Sequence, residues 1–263
     1  MSRVYATTNQ KGGVGKTTTA INLAASLAAN DLRILVVDND PQGNATSGFG
    51  ITKDPERPST YDLLLAETPP ADAVVATAFE GVSIIPADKN LAGANLELVE
   101  IREREFRLRQ RLADIRGQFD FIIIDCPPAL DLLTLNALMA ADAVVVPIQC
   151  EFFALEGISE LMDTIDRIRE SFNHPIEIAG ILLTMYDDRT NLTRQVAADL
   201  REFFQDEVFK TIIPRSVKLA EAPSFGKPIL AYDPRSKGAE SYIQLAKEIL
   251  DREQARKHAS GAR

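Results

Sequence analysis

The stretch QKGGVGKTT, residues 10–18, decides how this chain folds. It matches the phosphate-binding pattern G-x-x-x-x-G-K-[ST], with Gln10 in place of the first glycine. Glycines let backbone N–H groups close around phosphate oxygens, because no Cβ stands in the way. In this pattern Lys16 reaches the β- and γ-phosphates, and the Thr17 hydroxyl suits Mg²⁺. The stretch therefore predicts a phosphate site, and its other lysine, Lys11, is one more than such a site needs.

The segments on either side of the loop have the required character. Residues 3–8 (RVYATT) form a strand-like run, and residues 18–29 (TTAINLAASLAA) are rich in alanine and leucine, which favours a helix. A strand, a glycine-rich loop and a helix in that order place the helix N-terminus against the anion. The alternative, a glycine-rich turn with stray lysines, leaves the strand and the helix unexplained.

Beyond the loop, apolar β-rich runs alternate with helical segments. Strands are predicted near residues 33–38, 82–86, 119–125, 143–147, 178–184 and 208–213, and helices near 95–116, 131–141, 154–172, 190–204 and 238–256. Continuous apolar strands separated by helices indicate a parallel sheet covered on both faces. We therefore predict an α/β fold with a single doubly wound, mostly parallel sheet and helices on both faces. This domain spans residues 1–253, and a polar, disordered tail follows at 254–263.

Two of the predicted strands end in aspartates that fit a nucleotide site. In open α/β sheets, ligands bind beyond the carboxyl ends of the strands. Asp125 ends one strand and is placed to hold Mg²⁺, directly or through water. Asp40 follows the strand that ends at Asp38, and it is placed to serve the magnesium shell or to orient the attacking water. The alternative for Asp40 is a turn-forming residue before a proline. The predicted metal-site residues are Thr17, Asp40 and Asp125.

The composition and charge narrow the class of protein. A net charge of −9 argues against wholesale binding of a polyanion, but not against a local basic patch. Cys126 and Cys150 form no C-x-x-C pair, which disfavours a thiolate metal site. The first strand begins almost at the N-terminus, and no apolar run approaches 18 residues. We therefore expect a cytoplasmic protein with no signal peptide and no membrane association.

Four motifs together resemble the ParA/Soj family of partition ATPases. They are residues 11–18 (KGGVGKTT), 38–44 (DNDPQGN), 123–128 (IIDCPP) and 221–228 (EAPSFGKP). The resemblance runs from about residue 3 to residue 250. The first motif is the deviant Walker A form of the P-loop, which MinD and the nitrogenase iron proteins share.

The resemblance implies an ATPase that uses ATP and Mg²⁺ and forms a sandwich homodimer when ATP is bound. It also implies non-specific binding to double-stranded DNA, association with the nucleoid, and release when a ParB-like protein stimulates hydrolysis. By resemblance Lys11 touches the partner's nucleotide, Lys16 is the Walker lysine and Asp40 is the catalytic switch residue. These three are the expected catalytic residues.

The expected nucleotide-binding residues are Lys11, Gly12, Gly13, Val14, Gly15, Lys16, Thr17, Thr18, Met185 and Pro214. The last two stand at strand ends that are placed to flank a purine, where apolar contact and backbone hydrogen bonds would suffice. Such contacts suit ATP and GTP alike, and it is the resemblance that implies ATP.

A local excess of positive charge points to a DNA-binding face. Between residues 209 and 247, seven basic residues stand against three acidic ones. Phosphate contacts by Lys and Arg carry no base information, so binding is expected to be non-specific and sensitive to salt. The predicted contacts are Arg189, Arg215, Lys218, Lys227 and Lys237. A solvated surface is the alternative for the set, and nucleotide binding is the alternative for Arg215.

Proteins with the same class of loop also perform other functions. A MinD-like membrane ATPase needs a C-terminal amphipathic helix, but residues 251–258 (DREQARKH) have no apolar face. A nitrogenase-like reductase needs paired cysteines in matching places. A pure binding module is disfavoured because Lys16, Thr17, Asp40 and Asp125 are all present. An ATPase that positions a cargo other than a chromosome or plasmid would share the chemistry and stays open.

Overall fold

Eight strands form one sheet in the computed structural model, which describes residues 2–66 and 68–261. The strands are β1 (Arg3–Thr7), β2 (Ile34–Asp38), β3 (Val75–Ala76), β4 (Val82–Ile85), β5 (Phe121–Asp125), β6 (Ala143–Gln149), β7 (Glu177–Tyr186) and β8 (Val208–Pro214). Their order across the sheet is β3-β4-β2-β5-β1-β6-β7-β8. Every pairing is parallel except that of β3 with β4.

Helices cover both faces of this sheet. They are α1 (Lys16–Ala28), α2 (Asn44–Gly48), α3 (Thr60–Leu65), α4 (Leu91–Glu97), α5 (Arg107–Ala113), α6 (Leu132–Ala140), α7 (Ala154–Phe172), α8 (Asn191–Phe204), α9 (Val217–Glu221), α10 (Ile229–Tyr232) and α11 (Lys237–Gly261). Strand side chains alternate between the faces. In β1, Val4 and Ala6 belong to the core that includes α3 to α8, whereas Tyr5 belongs to the core with α1 and α11. The predicted doubly wound α/β fold is confirmed.

The buried strands and the amphipathic helices follow from their residue patterns. All five residues of β2 and of β5 are buried, because helices pack on both sides of a parallel sheet. In α7 the buried residues recur every three or four positions, at Ile158, Leu161, Ile165 and Ile168. This spacing gives one apolar stripe facing the sheet and leaves the other side polar. The bounds of α7 are those that the periodicity predicts.

The segment predicted as one helix over residues 95–116 is broken into α4 and α5. Between them Glu103 takes a φ of +55°, which ends a helix. The side chain of Asn136, in α6, accepts a hydrogen bond from the Leu108 N–H at 3.1 Å and donates one to the Arg104 carbonyl at 2.8 Å. A tertiary contact therefore sets the start of α5, and the local periodicity carries no sign of it.

The last helix runs further than expected. α11 continues to Gly261, so the prediction of a disordered tail is wrong for residues 254–261; residues 262–263 lie outside the described part of the chain. Glu253 is only 8% exposed. It accepts hydrogen bonds from the Tyr5 hydroxyl at 2.6 Å and from Arg3 Nε at 3.1 Å. These contacts tie the helix to β1 where the tail was expected to begin, and good helix formers follow.

Candidate functional site

The glycine-rich loop joins β1 to α1 at the carboxyl edge of the sheet. Gly13 and Gly15 have φ values of +76° and +90°, which favour glycine. Val14 between them is buried, and its carbonyl accepts a hydrogen bond from the Thr184 hydroxyl at 2.8 Å. Because α1 begins at Lys16, the unpaired N–H groups of its first turn face the loop. This geometry is that of an anion site at a helix N-terminus.

A cavity of about 420 Å³ opens over the loop. Eight of the ten residues predicted to bind nucleotide line it: Gly12, Gly13, Gly15, Lys16, Thr17, Thr18, Met185 and Pro214. Val14 does not line it, because its side chain is buried and its carbonyl is held by β7. Lys11 does not line it either, since this lysine lies on the exposed side of the loop.

Part of the cavity wall is apolar. It includes Met185 from β7, Ile213 and Pro214 from β8, and Leu219 from α9. Met185 has a φ of +48°, a value uncommon for a residue with a long side chain. Strained backbone of this kind persists at ligand sites because the surrounding structure holds it. An apolar wall beside a cationic loop suits a ligand with a flat heterocycle at one end and phosphates at the other.

Lys16 is the buried cation of the site. Its side chain is largely enclosed, and Nζ donates a hydrogen bond to the Lys11 carbonyl at 2.9 Å. Burial lowers the pKa of Lys16, while the negative charges of Asp125 and Asp40 oppose that shift. A charged group held away from water in this way is ready to pair with an incoming anion.

Asp125 offers an unsatisfied oxygen beneath the loop. The carboxyl is fully buried; Thr7 Oγ1 lies 3.4 Å from Oδ1, and Oδ2 has no hydrogen-bond partner among the described residues. Burial and the nearby Asp38 raise the pKa of Asp125, and the neighbouring Thr17 hydroxyl opposes that shift. A buried polar atom without a partner calls for an explanation such as a bound ion. The pair Thr17 and Asp125 therefore fits a hard cation.

Asp40 lies on the cavity wall and also forms a turn. Its Oδ1 accepts a hydrogen bond from the Gln42 N–H at 2.9 Å, and its carbonyl accepts one from the Gly43 N–H at 2.8 Å. The structure is thus compatible with both interpretations of Asp40, as a residue of the nucleotide site and as a turn-forming residue. The turn orients the carboxylate, and its position on the wall leaves it available to a ligand.

Lys11 forms an ion pair with Glu151, which follows β6. The two side chains are 46% and 43% exposed. The next two residues, Phe152 and Phe153, are 75% and 63% exposed, and their rings meet edge to face. The second lysine of the loop therefore lies on an open, partly apolar surface and not over its own cavity.

The five residues predicted to bind DNA are all exposed. The Arg189 side chain is 83% exposed and pairs with Asp187 at 2.6 Å. Lys218 pairs with Glu221 at 3.4 Å and lies 5.6 Å from the ring centre of Tyr232. Such surface pairs contribute little to stability and exchange readily for other partners.

The other three residues predicted to contact DNA are not neutralised by an ion pair with an acidic neighbour in the part of the chain that the structure describes. Arg215, Lys227 and Lys237 form no ion pair within the described residues. The Arg215 N–H donates to the Tyr186 carbonyl at 3.0 Å, which holds this residue at the edge of the sheet beside Pro214 and the cavity.

Some lining residues were not predicted. Gln42 and Asn44 belong to the 38–44 motif, so that motif carried a signal for them. The α9 residues Leu219 and Ala220 have no comparable mark. Tyr242 comes from α11, and its hydroxyl lies 3.2 Å from Thr19 Oγ1. Only the folded chain brings these residues to the loop.

Across residues 2–66 and 68–261, none of the helices combines the length and apolar character needed to traverse a lipid bilayer.

Three known proteins resemble this chain over nearly its whole length, and a family model described as an AAA domain matches residues 2–178. The chain is 52% identical over 256 residues to the chromosome partitioning protein ParA of Caulobacter vibrioides (strain NA1000 / CB15N), covering 97% of this chain and 96% of the relative. It is 53% identical over 249 residues to the sporulation initiation inhibitor protein Soj of Bacillus subtilis (strain 168), covering 95% of this chain and 98% of the relative. The crystal structure of cobyrinic acid a,c-diamide synthase from Mycobacterium smegmatis with bound ADP and magnesium has a TM-score of 0.84 and 37% identity, covering 100% and 97%.

Proposed function

The chain belongs to the ParA/Soj family of partition ATPases, and from that premise we propose its working cycle. With ATP bound, two subunits form a sandwich dimer that binds double-stranded DNA non-specifically. A ParB-like protein then stimulates hydrolysis of ATP to ADP and phosphate, and the DNA is released. One observation carries the proposal: Lys16, Thr17 and Asp40 meet at one cavity, while Lys11 lies outside it on an exposed face.

ATP with Mg²⁺ is the ligand that the cavity suits. The loop end provides backbone N–H groups and the Lys16 ammonium for phosphates, and the apolar end receives the purine. Mg²⁺ is held by one or two carboxylates together with phosphate oxygens and water, which fits Thr17, Asp125 and Asp40. When bound, the ion offsets the charge that develops on the phosphates. The related synthase carries ADP and magnesium on a similar fold.

Hydrolysis needs a carboxylate that is oriented before the substrate arrives. The Gln42 N–H fixes one oxygen of Asp40 through a 2.9 Å hydrogen bond, so the direction of the carboxylate is set by the turn. Asp40 lines the same cavity as Thr17 and is placed to orient an attacking water. Lys16 stabilises the negative charge of the transferring phosphate group from the loop side.

A second subunit gives Lys11 a function. In its own subunit the lysine is paired with Glu151 on the exposed face, outside the cavity. Phe152 and Phe153 add apolar surface to that face, and an exposed apolar patch of this kind marks an interaction site. A dimer formed on this face would bring Lys11 to the partner's phosphates, where its charge would assist hydrolysis.

DNA binding is assigned to the five exposed basic residues. Lys218 stands on α9, which borders the nucleotide cavity, and Arg215 follows Pro214 on its wall. Lys218 and Arg215, two of the five proposed DNA contacts, therefore adjoin the nucleotide site. Dimerisation doubles the positive surface, which explains how an overall acidic chain binds a polyanion only after nucleotide-driven pairing. Association with DNA would in turn place the protein on the nucleoid.

The partner protein is proposed from the family. Two of the relatives are named for chromosome partitioning and sporulation control, which favours DNA segregation over the positioning of another cargo. A ParB-like activator would act on the nucleotide dimer by completing the hydrolytic arrangement around Asp40.

The substitution Lys11→Ala tests the proposed cycle. Steady-state ATP turnover and light scattering with ATP should show loss of hydrolysis and weaker dimerisation, while nucleotide affinity of the monomer persists. The control is Lys89→Ala, which removes an exposed lysine outside the site. Normal turnover in Lys11→Ala would contradict the role of this lysine and the sandwich dimer with it.

A further inference from the structure

Gly50 and Gly226 lie backbone against backbone although 176 positions separate them in the chain. A Cβ placed on Gly226 would come within 2.5 Å of Gly50 Cα. A Cβ placed on Gly50 would come within 3.1 Å of the Gly226 carbonyl oxygen. Their φ values are +73° and +63°, which also favour glycine at both positions. The two loops that meet here have no side chains between them to absorb a movement.

Gly50 ends the segment that begins with Asp40. Thr46, in α2, donates two hydrogen bonds of 2.7 Å to the Asp38 carboxylate, one from its N–H and one from its hydroxyl. At Gly43 an added Cβ would lie 2.5 Å from the Ala87 carbonyl oxygen, so this turn is packed as closely as the glycine contact. The segment from Asp40 to Gly50 is therefore anchored at several points and packed as one unit.

The same segment packs on the helix that follows the phosphate loop. An added Cβ at Gly48 would lie 2.3 Å from Cδ1 of Ile21, in α1. The α2 helix thus rests on the element whose N-terminus faces the phosphates. Any shift of α1 or of the Asp40 turn on nucleotide binding reaches α2 directly.

Gly226 belongs to the loop that carries the exposed Lys227. The Gly226 N–H donates to the Pro223 carbonyl at 3.0 Å, and the Lys227 N–H donates to the Ala222 carbonyl at 3.3 Å. At the end of the loop, the Ile229 N–H donates to the Asn22 side chain, in α1, at 2.7 Å. The basic loop is therefore held between α1 on one side and the end of α2 on the other.

We propose that the contact between Gly50 and Gly226 couples the nucleotide site to the position of Lys227 and so to DNA affinity. The inference rests on the proposed function and names the element that regulates its DNA-binding surface. The two backbones touch with no side chain between them, so a displacement of the Asp40 segment towards the loop must displace the loop. By linkage, DNA held by Lys227 acts back on the nucleotide site to the same extent.

Coupling and simple support of the loop have different signatures. If the contact only supports the loop, its disruption weakens DNA binding by the same factor in every nucleotide state. If the contact couples the sites, its disruption lowers the ratio between DNA affinity with an ATP analogue and DNA affinity with ADP. The ratio is therefore the quantity to measure.

The experiment compares Gly226→Ala and Gly50→Ala with the control Gly117→Ala. The control adds the same methyl group at an exposed site with no heavy atom within 4 Å. Fluorescence anisotropy gives the Kd of each protein for a duplex of random sequence, with ADP and with a non-hydrolysable ATP analogue. A titration without DNA gives the affinity for the analogue itself, and circular dichroism reports folding.

We expect the ratio of the two DNA affinities to fall at least about fivefold in each glycine variant, the lower end of typical couplings, and to stay unchanged in Gly117→Ala. Affinity for the analogue without DNA should change by no more than about twofold, which is below that coupling range. The double variant should lose no more than either single one, because both changes disrupt one contact. If Gly226→Ala fails to fold, Gly50→Ala tests the inference by itself, since its added carbon comes no closer than 3.1 Å to any atom, the Gly226 carbonyl oxygen.

One result would overturn the inference: an unchanged ratio in the folded glycine variants, whether DNA affinity stays the same or falls by the same factor with ADP and with the analogue. A wild-type protein that binds DNA equally in both states would instead contradict the proposed function, so the two failures are distinguishable.

Discussion

Asp38 and Asp125 lie side by side at the carboxyl ends of the paired parallel strands β2 and β5, and both are fully buried. Their hydrogen-bond partners differ. Asp38 receives the N–H and the hydroxyl of Thr46, whereas Oδ2 of Asp125 has no such partner in residues 2–66 and 68–261. Burial raises the pKa of Asp38 to about 6 despite those hydrogen bonds. Asp38 therefore anchors the Asp40 segment, while Asp125 keeps an oxygen for the proposed magnesium ion.

Replacing Lys16 with alanine should strongly weaken the binding of ATP. The substitution removes the buried Lys16 ammonium from the cavity wall, and loss of a buried partner of a charged group costs about 2–5 kcal/mol. ATP affinity, measured by fluorescence titration, should fall about thirtyfold or more. The exposed-site variant Lys89→Ala should bind like wild type. Near-wild-type affinity for ATP in Lys16→Ala would contradict the assignment of residues 10–18 as the phosphate-binding loop.

Replacing Asp40 with alanine should separate binding from chemistry. ATP affinity should persist, because Lys16 and the loop remain. Turnover should fall by about a hundredfold or more, the usual contribution of a group that positions or activates a reacting water. Dimers should accumulate with ATP and appear as a larger species on gel filtration. Asp54→Ala, in an exposed loop, is the matched control, and normal turnover in Asp40→Ala would show that the catalytic role is wrong.

Reversing the charge of Arg189 or Lys218 should weaken binding to all DNA sequences alike. Each substitution removes a phosphate contact, so the slope of log K against log salt should become shallower by about 0.9 per contact. Unstimulated ATP turnover should stay near wild type. Lys257→Glu is the control, because this residue borders a cavity with Ser2 and Arg33 at the opposite edge of the sheet. Unchanged affinity and slope in both variants would place the DNA surface elsewhere.

Replacing Glu248 with alanine should destabilise the fold through the edge strand β8. Glu248 accepts hydrogen bonds from the N–H groups of Lys210 and Thr211, at 2.9 and 3.0 Å, and from the Thr211 hydroxyl at 2.8 Å. We expect a loss of about 1–3 kcal/mol in the free energy of unfolding at pH 7, measured by urea denaturation. Gln244→Ala, one turn earlier in α11, should change little.

The stability lost in Glu248→Ala depends on pH, and the pKa of Glu248 sets the direction of that dependence. Burial disfavours the charged form of Glu248, but the hydrogen bonds outweigh it and lower the pKa. A carboxyl whose pKa is lower in the folded state stabilises fully above its unfolded pKa of about 4.3, and less as the pH falls through the folded value. The difference between wild type and Glu248→Ala should therefore narrow below about pH 4. A difference that widens there would contradict this account.

The parts of the fold that could be predicted are those with a local signal. The loop at residues 10–18 needs particular residues at fixed spacing, and β2 and β5 are continuous apolar runs. The short helices α2, α3, α9 and α10 and the two-residue strand β3 were not predicted, because elements of two to six residues carry too few positions for a period to emerge.

The rest of the site depends on contacts between distant segments. Nothing near Tyr242 in sequence marks it as a neighbour of Thr19, and nothing near Gly226 marks its contact with Gly50. The ion pair of Lys11 with Glu151 likewise forms only when β6 packs beside β1. Periodicity reports which face of an element is buried, but not which distant residue it meets.

Binding of random-sequence duplex DNA in four nucleotide states tests the central claim most directly. Anisotropy titrations with no nucleotide, ADP, ATP and a non-hydrolysable ATP analogue would be run at fixed salt. We predict tight binding only with ATP and the analogue, with the analogue complex persisting after ATP-supported binding has declined. Equal affinity in all four states, or no binding in any of them, would contradict the proposal that ATP-driven pairing creates the DNA-binding surface.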